Sequence, residues 1–164
     1  MYAMLAKCVL MTLRVELRLK TLYYLRAAVL GSYVCDALSM EPDAHVVELN
    51  TELGACHEVY KETMLPTHHA YVFDGLDVLM DTIMTEAVLH VTAINRYGVT
   101  KMLRNLLSLQ QNLKNIVDEP RRIDLDRSKR LWEMLAREPE HWLSTAQDTY
   151  SAAEYLAMVR LSFG

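Results

Sequence analysis

The stretch from Ile94 to Val117, INRYGVTKMLRNLLSLQQNLKNIV, limits the choice of fold more than any other part of the chain. Beyond Gly98 it holds no Gly or Pro. At 100° per residue Met102, Leu103, Leu106, Leu109, Leu113, Ile116 and Val117 share one side. Lys101, Arg104, Asn105, Ser108, Gln111, Asn112 and Asn115 share the other. That period is helical, and a helix with one apolar side must bury it against a neighbouring element. The turn Asn95-Arg96-Tyr97-Gly98 precedes it, and Gly98 is expected in the left-handed conformation that ends a helix. Gln110 projects into the apolar arc. An unsatisfied buried amide costs about 1–3 kcal/mol, so Gln110 is expected to be a hydrogen-bonded core amide that fixes helix register.

The polar stripe is unusual in its chemistry. A helix face left in water is commonly rich in Glu and Lys, whereas here Asn105, Ser108, Gln111, Asn112 and Asn115 occupy it. Asn and Ser are poorer helix formers, so packing must offset their cost. Two covers suit such a face: another helix of the same bundle, or a different protein. Polar, uncharged surfaces suit interfaces that must also survive in water. Lys101, Arg104, Asn105, Ser108, Gln111, Asn112 and Asn115 are therefore the candidate partner-interface residues.

The rest of the chain reads as helices too. The first is expected from about Met4 to Leu30, ending near Gly31, with Leu5, Cys8, Val9, Thr12, Val15, Leu19, Leu22 and Tyr23 as a broad inner face. Pro42 suits the first turn of a second helix reaching about Met64, with Val46, Leu49, Leu53, Cys56, Val59 and Tyr60 inward, and Pro66 stopping it. Thr67 can cap a third helix continuing to Ile94, with Gly75 inside it allowing a close helix approach. After the fourth helix, stopped by Asp118-Glu119-Pro120, a fifth is expected from Asp124 to Arg137. A sixth segment begins at Pro139 and divides near Asp148 before a last helix at Ala152 to Leu161. No useful period-2 alternation occurs, so no strand is assigned. The fold class is all-α, an antiparallel bundle of about six helices. Residues 1–164 form a single helical region, as one bundle or as two stacked sub-bundles divided near 118–123.

Composition agrees: 52% of residues are apolar and there are only five Gly and four Pro. Cys8, Cys35 and Cys56 are odd in number and lack C-x-x-C spacing, which reads as reduced thiols in the cytoplasm. Lys7, Arg14, Glu16, Arg18, Lys20 and Arg26 interrupt the apolar N-terminus, so it neither spans a bilayer nor forms a secretory leader. The net charge of −4 hides an asymmetry. Residues 1–35 carry five basic and one acidic side chain, 36–95 one and eleven, and 96–137 ten and five. This pattern lets distant helices attract one another, or simply keeps their outer faces solvated. The basic residues lack aromatic interleaving, which disfavours nucleic acid, and lack an apolar anchor, which limits membrane contact to weak, peripheral and salt-sensitive binding.

Catalytic chemistry finds little support. His68-His69 and Cys56-His57 are adjacent pairs, and neighbours on a helix diverge by about 100°. Neither H-E-x-x-H nor any phosphate-binding Gly loop is present. Glu41 and His45 are explained by a surface i,i+4 pair. The ten Met residues, Met80, Met84, Met102 and Met134 among them, suit gap-filling in a bundle better than an adaptable groove. No catalytic residue, cofactor or metal ligand is assigned.

The run Gly98-x-x-Lys101-Met102-x-Arg104-Asn105 followed by Leu109-Gln110-Gln111-Asn112-Leu113 resembles the C-terminal region of the exocyst component-four (Sec-eight) family. So do, in order, Leu13-Arg14-Val15-Glu16-Leu17-Arg18, Val47-Glu48-Leu49-Asn50, Phe73-Asp74-Gly75-Leu76, Trp132-Glu133-Met134-Leu135 and Glu154-Tyr155-Leu156. Each piece is ordinary; the ordered set is specific. The resemblance implies a rod-like tethering-complex architecture of stacked helical bundles and a place near the C-terminal end of a longer subunit. It implies scaffolding of secretory-vesicle docking at the plasma membrane in exocytosis, with no bond made or broken. The implied partners are other exocyst subunits, with small GTPases or membrane-fusion proteins as further candidates. The implied location is cytoplasmic, peripheral at plasma membrane and vesicles. The competing reading is a helical adaptor domain outside the exocyst.

Overall fold

The computed structural model describes residues 2–117 and 122–163. The expected stop at Asp118-Glu119-Pro120 lies outside the described residues, as does most of the expected division near 118–123. Eight α-helices occur among the described residues: α1 (Tyr2–Val29), α2 (Ala44–Thr63), α3 (Pro66–Phe73), α4 (Leu76–His90), α5 (Arg96–Ile116), α6 (Asp126–Leu135), α7 (Leu143–Thr149) and α8 (Ala152–Phe163). The all-α class holds.

Helix α4 lies at the centre, touching α1, α5, α6 and α8, while α1 also packs on α2 and α3, and α5 on α2 and α6. Leu17, Leu25, Leu49, Leu53, Met80, Met84, Met102, Leu109 and Trp132 are fully buried. The buried residues form one contiguous cluster that reaches from Leu17 to Leu161. Side chains from neighbouring helices fix the joints. The Trp132 indole donates to the Met84 carbonyl at 2.9 Å. Asp81 on α4 accepts from the Ser128 backbone N–H at 2.9 Å and from its hydroxyl at 2.6 Å, satisfying one of the orphan donors of the first turn of α6. Arg160 on α8 donates to the Val88 and Val91 carbonyls where α4 ends.

Four expectations are corrected. First, strands do occur: β1 (Gly31–Tyr33) and β2 (Val91–Ile94) pair in parallel, with Tyr33 opposite Ile94 and an irregular register between Gly31 and Ser32. They are too short for alternation to register. Second, the expected third helix is broken. Pro66 opens α3 at its first position, α3 ends at Phe73, and Gly75 at φ +73° starts α4 from the left-handed region. Glycine takes that region without steric cost, which is why the break falls there. Pro66 thus begins a helix, α2 having already closed at Thr63.

Third, Gly98 lies inside α5 and has no positive φ. Asn95 caps the helix by accepting from the Gly98 N–H at 2.9 Å, and its amide also bonds both backbone groups of Cys35. A Cβ on Gly98 would stand 1.8 Å from the Tyr33 carbonyl oxygen. Glycine is needed there for the approach of β1, not for a turn.

Fourth, the face assigned to α1 points outward. Leu17, Thr21, Leu25, Ala28 and Val29 are buried, whereas Leu5, Leu19 and Tyr23 are 62%, 60% and 71% exposed and Val9, Val15 and Leu22 are also exposed. The reason is that α1 is apolar on both sides, so periodicity cannot say which side the other helices take. In addition Val59, expected inward on α2, is exposed, and Asp43 rather than Pro42 sets the start of α2, accepting from the His45 N–H.

Candidate interaction surface

The polar stripe of α5 divides along its length. At its N-terminal end Lys101 pairs with Asp43 at 3.1 Å. Asn105 is fully buried; its Oδ1 accepts from the Asp43 N–H at 2.8 Å and its Nδ2 faces the Tyr33 hydroxyl at 3.5 Å. Tyr33 in turn donates to the Ala28 carbonyl. Burial, and secondarily the charge of Asp43, push the Tyr33 phenol well above its ordinary range. One amide thus ties α5 to the segment before α2 and, through Tyr33, to the end of α1.

Further along, Ser108 accepts from the Asn50 amide at 2.9 Å, and Asn112 donates to the Asn50 carbonyl at 3.4 Å, so both meet α2. Arg104, half-buried, donates to the Met40 sulfur at 3.2 Å. Gln111 and Asn115 bond each other at 3.1 Å and stand exposed. Gln110 is half-buried, with Nε2 3.5 Å from the Ile123 carbonyl on the segment entering α6.

Sequence reasoning missed one constellation. The His57 Nδ1 and His69 Nε2 atoms lie 2.9 Å apart, joining α2 to α3, and the His69 ring packs on Phe73 with centroids 4.7 Å apart. Each of the two adjacent pairs, Cys56-His57 and His68-His69, contributes one member. No spacing rule links residues twelve apart on different helices. His45 lies near Glu48 at 3.7 Å, not paired with Glu41. Among the described residues no group of three or more His, Cys, Asp or Glu side chains could hold a metal ion. No described helix is long and apolar enough to cross a membrane.

What the elements present is surface: a long helix half-sheathed in amides, a second long helix with an uncovered apolar side, and small crevices between them. These are the features of an α-helical bundle with exposed helix faces. The chain is 33% identical to exocyst complex component 4 of Dictyostelium discoideum over 136 residues, covering 83% of this chain and 11% of that protein. It is 32% identical to exocyst complex component 4 of Homo sapiens over 158 residues, 93% of this chain and 16% of the relative. Against the Drosophila melanogaster exocyst complex component 4 it is 31% identical over 165 residues, 96% of this chain and 17% of the relative. The chain therefore belongs to the exocyst complex component 4 family, and it spans 11% to 17% of the length of these curated relatives. No family model matches it.

Proposed function

We propose that the chain is one helical region of an exocyst subunit and that it works as a scaffold in the tethering of secretory vesicles at the plasma membrane. The observation that carries this is the likeness to exocyst complex component 4 over 83% to 96% of the chain, in an all-α protein. The mechanism is the presentation of rigid helical surfaces to other exocyst subunits. Small GTPases and membrane-fusion proteins are further partners of the same surfaces, and the location is cytoplasmic and peripheral at the membrane. No catalytic step is part of this reading, and no cofactor is assigned.

Within the stripe named from the sequence, the residues best placed to meet a partner are Gln111 and Asn115, with Arg104 at the margin. Lys101, Asn105, Ser108 and Asn112 hold α5 against α2 and the segment before it, and act on a partner by fixing that frame. The test is affinity purification of the intact, tagged polypeptide from cells. Co-purification of the other exocyst subunits is the expected result; their absence under conditions that retain a known exocyst subunit's partners overturns the reading.

A further inference from the structure

Arg104 is a half-buried cation with a poor partner. Among the described residues no carboxylate lies within ion-pair distance of it, and its guanidinium bonds only the Met40 sulfur, through Nη2 at 3.2 Å. Its Nη1 is buried and donates to no group among the described residues. A thioether is a weak acceptor, whereas a guanidinium carries five strong donors, so this pairing leaves the cation short of acceptors. Met40 is held in place from both sides. The Ser39 hydroxyl accepts from the Glu41 N–H at 3.2 Å and donates to the Glu41 carbonyl at 3.1 Å, which folds the backbone around Met40. Three residues on, Asp43 pairs with Lys101 and gives its N–H to Asn105, the two residues of α5 that flank Arg104. Met40 itself is 77% exposed, whereas Met80, Met84, Met102 and Met158 are fully buried. Met4 and Met11 are exposed as well, but their sulfurs take no hydrogen bond among the described residues.

We propose that Met40 is a reversible oxidation site whose sulfoxide is held by Arg104. The oxidant is a hydroperoxide, with hydrogen peroxide the simplest. A sulfur lone pair attacks one peroxide oxygen, the S–O bond forms as the O–O bond breaks, and the other oxygen leaves as water with both peroxide hydrogens. The thioether loses two electrons and the peroxide gains them. Arg104 engages one lone pair of the sulfur, and the other remains open to the oxidant on this exposed side chain. The new oxygen is a strong acceptor. It replaces the sulfur as the partner of Nη2 and offers its second lone pair to Nη1, beside it on the same planar fork. Oxidation of a packed methionine disrupts its surroundings. Here it turns a weak contact into a charge-assisted one, so it tightens the segment 34–43 on α5 while making an exposed apolar side chain polar. This inference goes beyond the exocyst reading and does not rest on it.

The intact polypeptide is treated with dilute hydrogen peroxide. Peptide mapping by mass spectrometry follows sulfoxide at Met40, and hydrogen exchange follows the backbone amides of residues 34–43. Met40 should oxidise while Met80, Met84 and Met102 do not. Exchange in 34–43 should then slow by about tenfold, as for a segment whose local opening has become costlier. Treatment with methionine sulfoxide reductases A and B should restore the original rate. Arg104→Leu removes the donors and should abolish the slowing while Met40 still oxidises. Met40→Gln supplies an amide oxygen at similar reach with no oxidation. It should slow exchange before peroxide is added and show no further change afterwards, which keeps the proposal testable where Arg104→Leu fails to fold. Exchange that stays the same or quickens on oxidation overturns the proposal, as does slowing that survives Arg104→Leu or a Met40 that resists peroxide. Failure of co-purification removes the exocyst reading and leaves every one of these readouts in place, so the two can fail separately.

Discussion

Helices α1 and α5 are the two longest in the chain, at 28 and 21 residues, and both are rich in leucine, yet they are used in opposite ways. On α5 the apolar residues, the exposed Leu107 apart, lie on one side. That side is buried, and even part of the polar side is covered by α2 and the segment before it. On α1 apolar residues lie on opposite sides; the bundle takes one and leaves the other exposed. The difference teaches that a one-sided period names the inner face, whereas a two-sided one only announces that two contacts are needed.

The largest test of that contrast introduces a charge on each helix. Leu109→Asp on α5 places a carboxylate at a fully buried position and should cost several kcal/mol, enough to unfold a domain of ordinary stability. Leu19→Asp on the outward side of α1 should change stability by less than about 1 kcal/mol in the 164-residue chain. Urea denaturation of both variants reads the difference, and equal losses would mean that the outer side of α1 is already covered.

The next test concerns the two helical glycines. Gly98→Ala drives a methyl into the Tyr33 carbonyl, a backbone atom that cannot rotate away, and should cost about 1–3 kcal/mol. Gly54→Ala in α2 meets nothing within 4 Å and should stabilise by about 0.5–1 kcal/mol through helix propensity. Thermal melts of the pair should move in opposite directions. A neutral Gly98→Ala would show that β1 and α5 separate easily.

These glycines also mark how far the sequence can be read. The inner face of α5 was legible because Met102, Leu106, Leu109 and Leu113 repeat at one period and are all buried. The class of fold and the family resemblance followed from such segments. What was not legible depends on contacts between segments remote in the chain. Gly98 looked like a turn residue because its neighbour in space, Tyr33, is far away in sequence. The Gly75 break reads locally like any isolated glycine in a helix. The His57–His69 pair and the tie from Asn105 to Asp43 likewise join residues that no spacing rule connects.

A smaller effect tests the buried phenol of Tyr60 on α2. Burial, and next the charge of Cys56, push the Tyr60 phenol up to about 12, and burial raises Tyr33 in the same direction. The protonated phenol is the form each site favours. Its contribution is therefore complete below the ordinary value near 10 and is lost as pH rises through the raised one. Melting temperature should fall between about pH 10 and 12. Tyr60→Phe, which has no proton to lose, should fall less over that range. A Tyr60→Phe curve parallel to that of the unaltered chain would show that Tyr60 does not drive the alkaline loss.

The smallest expected change in stability belongs to the exposed end of the amide stripe, and there the outcome bears on function. Gln111→Glu with Asn115→Glu removes two exposed, mutually bonded amides, and Glu is a better helix former than Asn and about the equal of Gln. Repulsion between like charges four apart opposes that gain, so stability should stay within about 0.5 kcal/mol. Asn105→Glu, a single change on the same stripe, buries a charge beside Asp43 and should unfold the chain. The comparison thereby separates the part of the stripe that builds the bundle from the part free to meet a partner. In the intact protein the double variant should stay folded and lose other exocyst subunits on affinity purification. If it retains them all, Gln111 and Asn115 are plain solvent-facing surface. The outward side of α1 then stands as the stronger candidate for contact, because it exposes apolar area that water disfavours and the amide pair does not.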